Sequence, residues 1–296
     1  MRALITGGKG FVGQWLAAHL KDCGDDVAVI DIETDVADGA AVQRVMASVS
    51  PEAVYHLAAM THVGDSWENP SLVLRVNVLG TAEVLAAART LPTSPRVLVV
   101  SSAEVYGVVV PAQLPLGEDT PTAPSSPYAA SKLAAEAVAL QAWRGYEQPV
   151  VVVRPFNHIG PGQSPNFFVP ALAKRIVEAR RSGGRSLRVG TLTTRRDFTD
   201  VRDVVAAYRL LIAQGEPGEV YNVCSGRDVA MSEVAARLLG LAGVDLELQT
   251  DPELVRPVDV PVLRGDASKL QAVTGWEATT PLATTLADVL ASWEAD

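Results

Sequence analysis

The chain has 296 residues, 48% of them apolar, and a formal net charge of −9. That is enough apolar sequence for one large folded body or two intertwined ones, and it excludes wholesale disorder. The acidic balance argues against nucleic acid or an anionic membrane as partner, and two cysteines, Cys23 and Cys224, support no disulfide framework and point to a reducing compartment.

The N-terminus reaches Gly7 and Gly8 after a very short apolar run, without the core of a signal peptide. No stretch reads as long and apolar enough to span a bilayer, so a cytoplasmic enzyme is expected. Short Val/Ile/Leu runs predict strands over residues 2–6, 27–31, 53–57, 97–101, 150–154 and 219–223. Between and after them, Ala-rich segments with helical spacing predict helices over 11–21, 40–48, 80–89, 128–143, 169–180, 203–212 and 231–241. Continuous apolar strands alternating with helices imply an α/β fold with a doubly wound parallel sheet. The alternation weakens after Arg154. Residues 155–196 are rich in Pro, Gly and Arg, and 251–266 are Pro-rich, so these segments are expected to form a smaller lobe. The expected division is 1–155 plus 199–223 for the sheet domain, and 156–198 plus 224–296 for the lobe.

The first predicted strand runs into Thr6-Gly7-Gly8-Lys9-Gly10-Phe11-Val12-Gly13, and a helix follows. Gly7, Gly10 and Gly13 let a backbone turn sharply and approach a pyrophosphate, and the helix N-terminus offers free N–H donors. Asp31 closes the second strand eighteen residues after Gly13. A carboxylate there accepts hydrogen bonds from ribose hydroxyls and repels a 2′-phosphate. No arginine adjoins it in sequence, which favours NAD(H) over NADP(H). Asp35 and Val36 are candidates for flanking the adenine.

Tyr128 and Lys132 stand i, i+4 at the start of a predicted helix, with Ser125 or Ser126 available as cap and Pro127 in its first turn. A lysine cation one turn away is expected to lower the tyrosine pKa and make it an acid–base group. Ser102 lies just past the carboxyl end of a central strand, where ligands bind in open α/β sheets. A hydroxyl there can hydrogen-bond the same oxygen that Tyr128 protonates.

With Thr-Gly-Gly-x-Gly-Phe-Val-Gly, His56-Leu57-Ala58-Ala59, Asn77-Val78-Leu79-Gly80-Thr81, Ser102-Ala103-Glu104-Val105-Tyr106-Gly107 and Tyr-x-x-x-Lys, the chain resembles the extended short-chain dehydrogenase/reductases. The resemblance implies a Rossmann-type sheet with a C-terminal substrate-binding lobe. It implies that Leu57, Ala58 and Ala59 line the cofactor channel, that Pro155, Phe156, Asn157 and His158 surround the nicotinamide, and that Lys132 holds the nicotinamide ribose. Asn77 reads as structural.

The second half resembles the branch of that family holding GDP-mannose 4,6-dehydratase and GDP-4-keto-6-deoxy-mannose reductase. The matching pieces are residues 156–164, 196–203, 220–226 and Arg256-Pro257 with Asp259. The resemblance implies a nucleotide-diphosphate sugar as substrate. Arg196 and Arg256 would grip the diphosphate, Asn157 and Gln163 would approach the sugar, Asp259 would bind the nucleotide ribose, and Asn166 and Phe168 would border the base. It also implies a homodimer through the two Ala-rich helices at 80–89 and 128–143.

Glu104 would serve a dehydratase as base at C5. Position 103, where such dehydratases carry Asp or Ser, is Ala103, whose methyl group donates nothing. The favoured reading is therefore reduction of a 4-keto-6-deoxy sugar, with a 4,6-dehydratase or 4-epimerase as alternatives. A non-catalytic NAD-binding protein is the alternative of another class, and the complete Ser102/Tyr128/Lys132 set argues against it. The four histidines lack metal-ligand spacing, and no metal is expected.

Overall fold

The structure is a computed structural model describing residues 1–254 and 260–295. In chain order its strands are β1 (Arg2–Thr6), β2 (Asp26–Ile30), β3 (Ala53–His56), β4 (Arg96–Val100), β5 (Val150–Pro155), β6 (Asn157–Ile159), β7 (Ser186–Val189), β8 (Arg195–Asp200), β9 (Val220–Val223), β10 (Asp228–Ala230), β11 (Glu247–Thr250) and β12 (Val262–Leu263). The helices are α1 (Phe11–Asp22), α2 (Gly39–Val49), α3 (Val63–Glu68), α4 (Pro70–Leu74), α5 (Gly80–Arg89), α6 (Pro127–Tyr146), α7 (Phe168–Ser182), α8 (Val201–Gln214), α9 (Met231–Ala242), α10 (Ser268–Thr274) and α11 (Leu282–Glu294).

Six strands form one parallel sheet in the order β2-β1-β3-β4-β5-β9. Its middle strands are covered on both faces, which is why they read as unbroken apolar runs. On one face Leu16, Val205, Tyr208 and Leu211 close over Ile5, Leu98 and Val153. On the other, Val42, Met46, Val84 and Ala139 close over Leu4, Val99 and Val152. The strand order reverses between β1 and β3, and such switch points open a crevice at the strands' carboxyl ends.

The second region joins β6, β8, β10 and β12 into one small sheet and pairs β7 with β11. Helices α7, α9 and α11 bury Leu172, Ile176, Leu238, Leu286 and Val289 against it. One part of the expected division differs. Leu270 and Trp276, assigned by sequence to the lobe, pack in the core of the large sheet, with α10 lying on α8 and β9.

The helix predicted to begin at residue 80 begins ten residues earlier. Pro70 opens it, α4 runs through a π turn at Arg75–Leu79, and α5 continues from there. The continuous helix Pro70–Arg89 is long and apolar enough to cross a membrane by length and composition, contrary to the sequence expectation. Its apolarity has a core role: α5 packs on α2 and α6, and Val73, Val84 and Leu85 are buried.

Candidate functional site

The glycine loop leaves β1 at the switch point. Gly7 adopts φ +71°, and a Cβ there would stand 2.8 Å from the Ala58 backbone nitrogen. A Cβ on Gly13 would collide with the Gly7 carbonyl. Both positions therefore require glycine for the loop to lie against β3 and for α1 to start beneath it. Gly10 is the N-cap of α1 and brings no side-chain cap, so the helix's first N–H groups face the crevice.

Behind the loop, Thr81 Oγ1 gives its proton to the Asn77 carbonyl (2.6 Å), so His56 Nε2 donates to Thr81 (3.0 Å) and His56 Nδ1 accepts from Thr6 Oγ1 (2.8 Å). Thr6 in turn accepts from the Ala58 N–H at 3.2 Å. Burial, aided by the charge of Lys132, holds the His56 pKa down at about 3. His56 is thus a neutral strut tying β1, β3 and α5 together. Asn77 is buried in the π turn and clamps Met60 at both its N–H (2.8 Å) and its carbonyl (3.1 Å), while donating to Ser131 of α6 at 2.8 Å.

A cavity of about 830 Å³ opens over these strand ends. Gly7, Gly10, Phe11, Val12, Gly13, Asp31, Asp35, Val36, Leu57, Ala58, Ala59, Lys132, Pro155 and Asn157 all line it, as do Ser102, Glu104 and Tyr128. The Asp31 carboxylate is steadied by the N–H groups of Lys9 (2.7 Å) and Ile32 (2.8 Å). The glycine cradle, the uncapped helix and this acid fit a dinucleotide. Sequence reasoning missed Met60, Thr61, Arg75, Phe167, Tyr208 and Leu263 on the same wall. Of these Arg75 matters most: no arginine adjoins Asp31 in sequence, yet the π turn brings Arg75 to the cavity, 2.5 Å from Asp35.

Ser126 is the cap of α6, accepting from the Ala129 N–H at 3.1 Å. Tyr128 then lies buried in the first turn, and it lines the cavity together with Ser102. Ser102 Oγ also accepts from the Glu104 N–H at 3.2 Å and starts the short turn Ala103–Tyr106. The expected lowering of the tyrosine pKa by Lys132 is absent. Burial pushes Tyr128 up to about 12, against the pull of Ser102 and with a further push from the Glu104 charge. Lys132 instead aims its ammonium at the Val100 carbonyl, 2.8 Å away. Burial brings Lys132 down to about 8, opposed by Glu136. Tyr128 therefore carries its proton at neutral pH and is built as a donor.

A buried polar network holds this constellation. Arg154 reaches Glu136 through two nitrogens, at 2.9 and 2.8 Å. Ser101 donates to the same carboxylate, and Arg154 donates to Tyr106 Oη at 3.1 Å. Tyr106 passes its own proton to Asn222 at 2.8 Å. Glu136 stands one turn beyond Lys132, and Ser101 adjoins Ser102. The network thus couples α6, β4, β5 and β9 beneath the reactive side chains.

On the lobe side, Asn157 and Gln163 line the cavity. Gln163 Nε2 donates to the His158 carbonyl at 3.1 Å, and its Oε1 is buried with no partner among the described residues. Arg196 is not part of the cavity wall. It sits on β8 and donates to the Arg195 and Val260 carbonyls at 2.9 and 2.7 Å, because β8 is the middle strand of the lobe sheet. Asp197 beside it is pinned by Ser225, Gly226 and Gly265. Arg256 and Asp259 lie outside the described residues. Asn166 is off the cavity wall, and Phe168 packs into the lobe core while Phe167 takes the wall position.

Comparison with known proteins bears on this arrangement. The family model described as GDP-mannose 4,6 dehydratase matches residues 32–289. GDP-6-deoxy-D-mannose reductase of Pseudomonas aeruginosa is 37% identical over 301 residues, covering 99% of this chain and 97% of the relative. Among solved structures, RMD from Pseudomonas aeruginosa complexed with NADPH superposes with a TM-score of 0.92 at 36% identity, covering 100% of this chain and 99% of that one. The UDP-glucose 4-epimerase of Thermus thermophilus, in complex with NAD, gives a TM-score of 0.90 at 29% identity, with 99% of each chain covered. On this match the chain belongs to the GDP-mannose 4,6-dehydratase family, within the extended short-chain dehydrogenase/reductases, whose members are NAD(P)-dependent nucleotide-sugar enzymes.

Proposed function

We propose that this enzyme reduces the C4 ketone of a nucleotide-diphosphate 4-keto-6-deoxy sugar, with GDP-4-keto-6-deoxy-mannose as the best substrate. The observation that carries the reading is geometric: Tyr128 and Ser102 line one cavity past the carboxyl end of β4, and the residue next to Ser102 is Ala103. Reduction needs a proton donor at the ketone oxygen and little else, whereas a dehydratase also needs polar help for the departing C6 hydroxyl.

The bound cofactor supplies the hydride that adds to C4. Tyr128 Oη gives its proton to the ketone oxygen as the C–O double bond becomes single, leaving a phenolate. Ser102 hydrogen-bonds the same oxygen and fixes the carbonyl in place. Lys132, one helical turn away, holds the nicotinamide ribose. Solvent returns the lost proton before the next turnover. Gly7, Gly10 and Gly13 receive the pyrophosphate, Asp31 the adenosine ribose, and Asp35 and Val36 the adenine. Leu57, Ala58, Ala59, Pro155 and Asn157 line the path to the nicotinamide, and the Asp31 carboxylate supports NAD(H) as the preferred form.

For the sugar, Asn157 and Gln163 are the polar contacts. The unpartnered Gln163 Oε1 supplies an acceptor for a hydroxyl. Arg196 and Arg256 are assigned to the diphosphate, and Asp259 to the nucleotide ribose. Ala103 is 2% exposed and packs with Tyr106 and Phe156, so no polar group stands there to assist loss of the C6 hydroxyl. Glu104 on the cavity wall is the one feature that favours the dehydratase.

A homodimer through α5 and α6 completes the reading, supported by exposed Leu72 and Leu79 on the helical stretch that leads into α5 and by small exposed Ala130 and Ala137 on α6. Mass measurement in solution at micromolar concentration tests it, and a monomer would remove it. The activity is tested by supplying GDP-4-keto-6-deoxy-mannose with NADH or NADPH. Stoichiometric cofactor oxidation with a GDP-6-deoxyhexose product is expected. Conversion of GDP-mannose to a keto-sugar, with no oxidation of added cofactor, would replace the proposal with the dehydratase.

A further inference from the structure

The rim of the cavity beside Asp31 carries an unusual set of charges. Asp31, Asp35 and Arg75 line it, and Glu33 stands between the two acids in sequence. Ile32, directly after Asp31, is 93% exposed and brings no charge. Each cation present is already held by an acid. Lys9 Nζ meets Glu33 at 2.9 Å, and Arg75 Nη2 meets Asp35 at 2.5 Å. Three carboxylates against two cations leave one negative charge, carried by Asp31, whose oxygens meet only backbone N–H groups of Lys9 and Ile32 among its assigned hydrogen bonds.

Such a rim suits a ribose with both hydroxyls free and would repel a 2′-phosphate. Yet the Arg75–Asp35 pair is half-exposed on both sides, with side-chain exposures of 49% and 43%. Exposed ion pairs of this kind contribute little and re-form readily. A guanidinium is also the side chain best shaped to take two phosphate oxygens at once. The backbone of the π turn fixes where Arg75 starts, while its long side chain leaves the guanidinium free to change partner.

We propose that Arg75 is the residue that decides between the two nicotinamide cofactors by exchanging partners. Paired with Asp35, it leaves the ribose hydroxyls to Asp31, and the cavity takes NADH. Released from Asp35, it meets the 2′-phosphate, and the same cavity takes NADPH. Asp35 is the internal competitor for the phosphate: the stronger its hold on Arg75, the stronger the preference for NADH. This rests on reading the cavity as a dinucleotide site with the adenosine at Asp31.

The test is cofactor binding alone, without sugar substrate. Dissociation constants for NADH and NADPH are measured by quenching of intrinsic tryptophan fluorescence in the wild type, Arg75→Ala and Asp35→Asn, at one ionic strength. The ratio of the NADPH constant to the NADH constant is expected to rise about tenfold in Arg75→Ala, which loses a charge-assisted contact. In Asp35→Asn, where Arg75 is freed, it is expected to fall about threefold or more. Ratios within twofold of wild type in both variants, or equal weakening of both cofactors in Arg75→Ala, would overturn the exchange while leaving the dinucleotide site intact. Binding of neither cofactor by the wild type would remove the site reading and the exchange together.

Discussion

The two walls of the cavity are built in different ways. On the sheet side, Gly7, Asp31, Leu57 and Ser102 each follow the carboxyl end of a parallel strand, and neighbouring strands bring them together without further help. On the lobe side, the small sheet is assembled from β6, β8, β10 and β12, spread over more than a hundred residues and only two to six residues long. There the position of a side chain depends on which strand its neighbour is. Arg196 illustrates it: its sequence context points to a ligand, while its strand is central in the lobe sheet and its guanidinium donates to β-strand and loop carbonyls. A site made of consecutive strand ends is set by local sequence, and a site made of long-range pairings is not.

The comparison is broken most severely at Tyr128. Tyr128→Phe removes only the proton donor of the sheet wall. Turnover of the keto-sugar is expected to fall by about 100- to 10,000-fold, with cofactor affinity by fluorescence titration within a few-fold of wild type. Near-normal turnover would detach the chemistry from this wall. Next comes the network below. Glu136→Ala leaves the Arg154 guanidinium buried without its carboxylate, and unfolding by urea is expected to show a loss of about 3–5 kcal/mol. A loss near zero would mean the constellation is held by packing alone.

Gly13→Ala sharpens the role of backbone on the sheet wall. The added methyl runs into the Gly7 carbonyl, at a cost of about 1–3 kcal/mol, and cofactor affinity is expected to drop about tenfold or more. Unchanged affinity would show that the loop has slack. In the lobe, away from the cavity wall, Arg196→Ala is expected to raise the KM for the nucleotide sugar about tenfold if the diphosphate reaches it, while the cofactor constant stays. A change in thermal stability with no change in KM would make Arg196 purely a lobe-sheet residue.

Two further effects are in pH. His56 is held well below its unfolded pKa, so the unfolded chain binds its proton first as pH falls. The stability that a neutral His56 contributes is present above about pH 6.5 and is lost as pH falls toward about 3. Denaturant midpoints measured down that range are expected to decline. Lys132, lowered to about 8, gives the catalytic profile a step near that value. The reduction rate is expected to fall as pH rises through that value while Tyr128, near 12, stays protonated. A flat profile across it would remove Lys132's charge from the mechanism.

Much of the sheet domain was legible, because strands buried on both faces and helices with Ala-rich stripes leave strong periodic signals. The ends of β1, β3 and β5 are found within a residue of expectation. The start of the helix at Pro70 was not legible, since the π turn at Arg75–Leu79 breaks the regular period just ahead of Gly80. That turn carried Arg75 into the cofactor end of the cavity, where sequence proximity to Asp31 was the wrong guide. The tyrosine pKa was misread for a related reason. Helical spacing puts Lys132 near Tyr128, but the direction of its ammonium is decided by the Val100 carbonyl at the end of another element. Phe167 and Phe168 differ by one residue in phase, which a loop leading into a helix does not reveal.

If hydride from the cofactor ends on C4 of the sugar, isotope transfer will place it there. Cofactor carrying deuterium at the transferable position of its nicotinamide is incubated with the enzyme and GDP-4-keto-6-deoxy-mannose, and the product is read by NMR and mass. A GDP-6-deoxyhexose with one deuterium, located on C4, is expected. An unlabelled product, or a keto-sugar formed from GDP-mannose with a solvent-derived hydrogen at C5, would contradict it and give the site to a dehydratase.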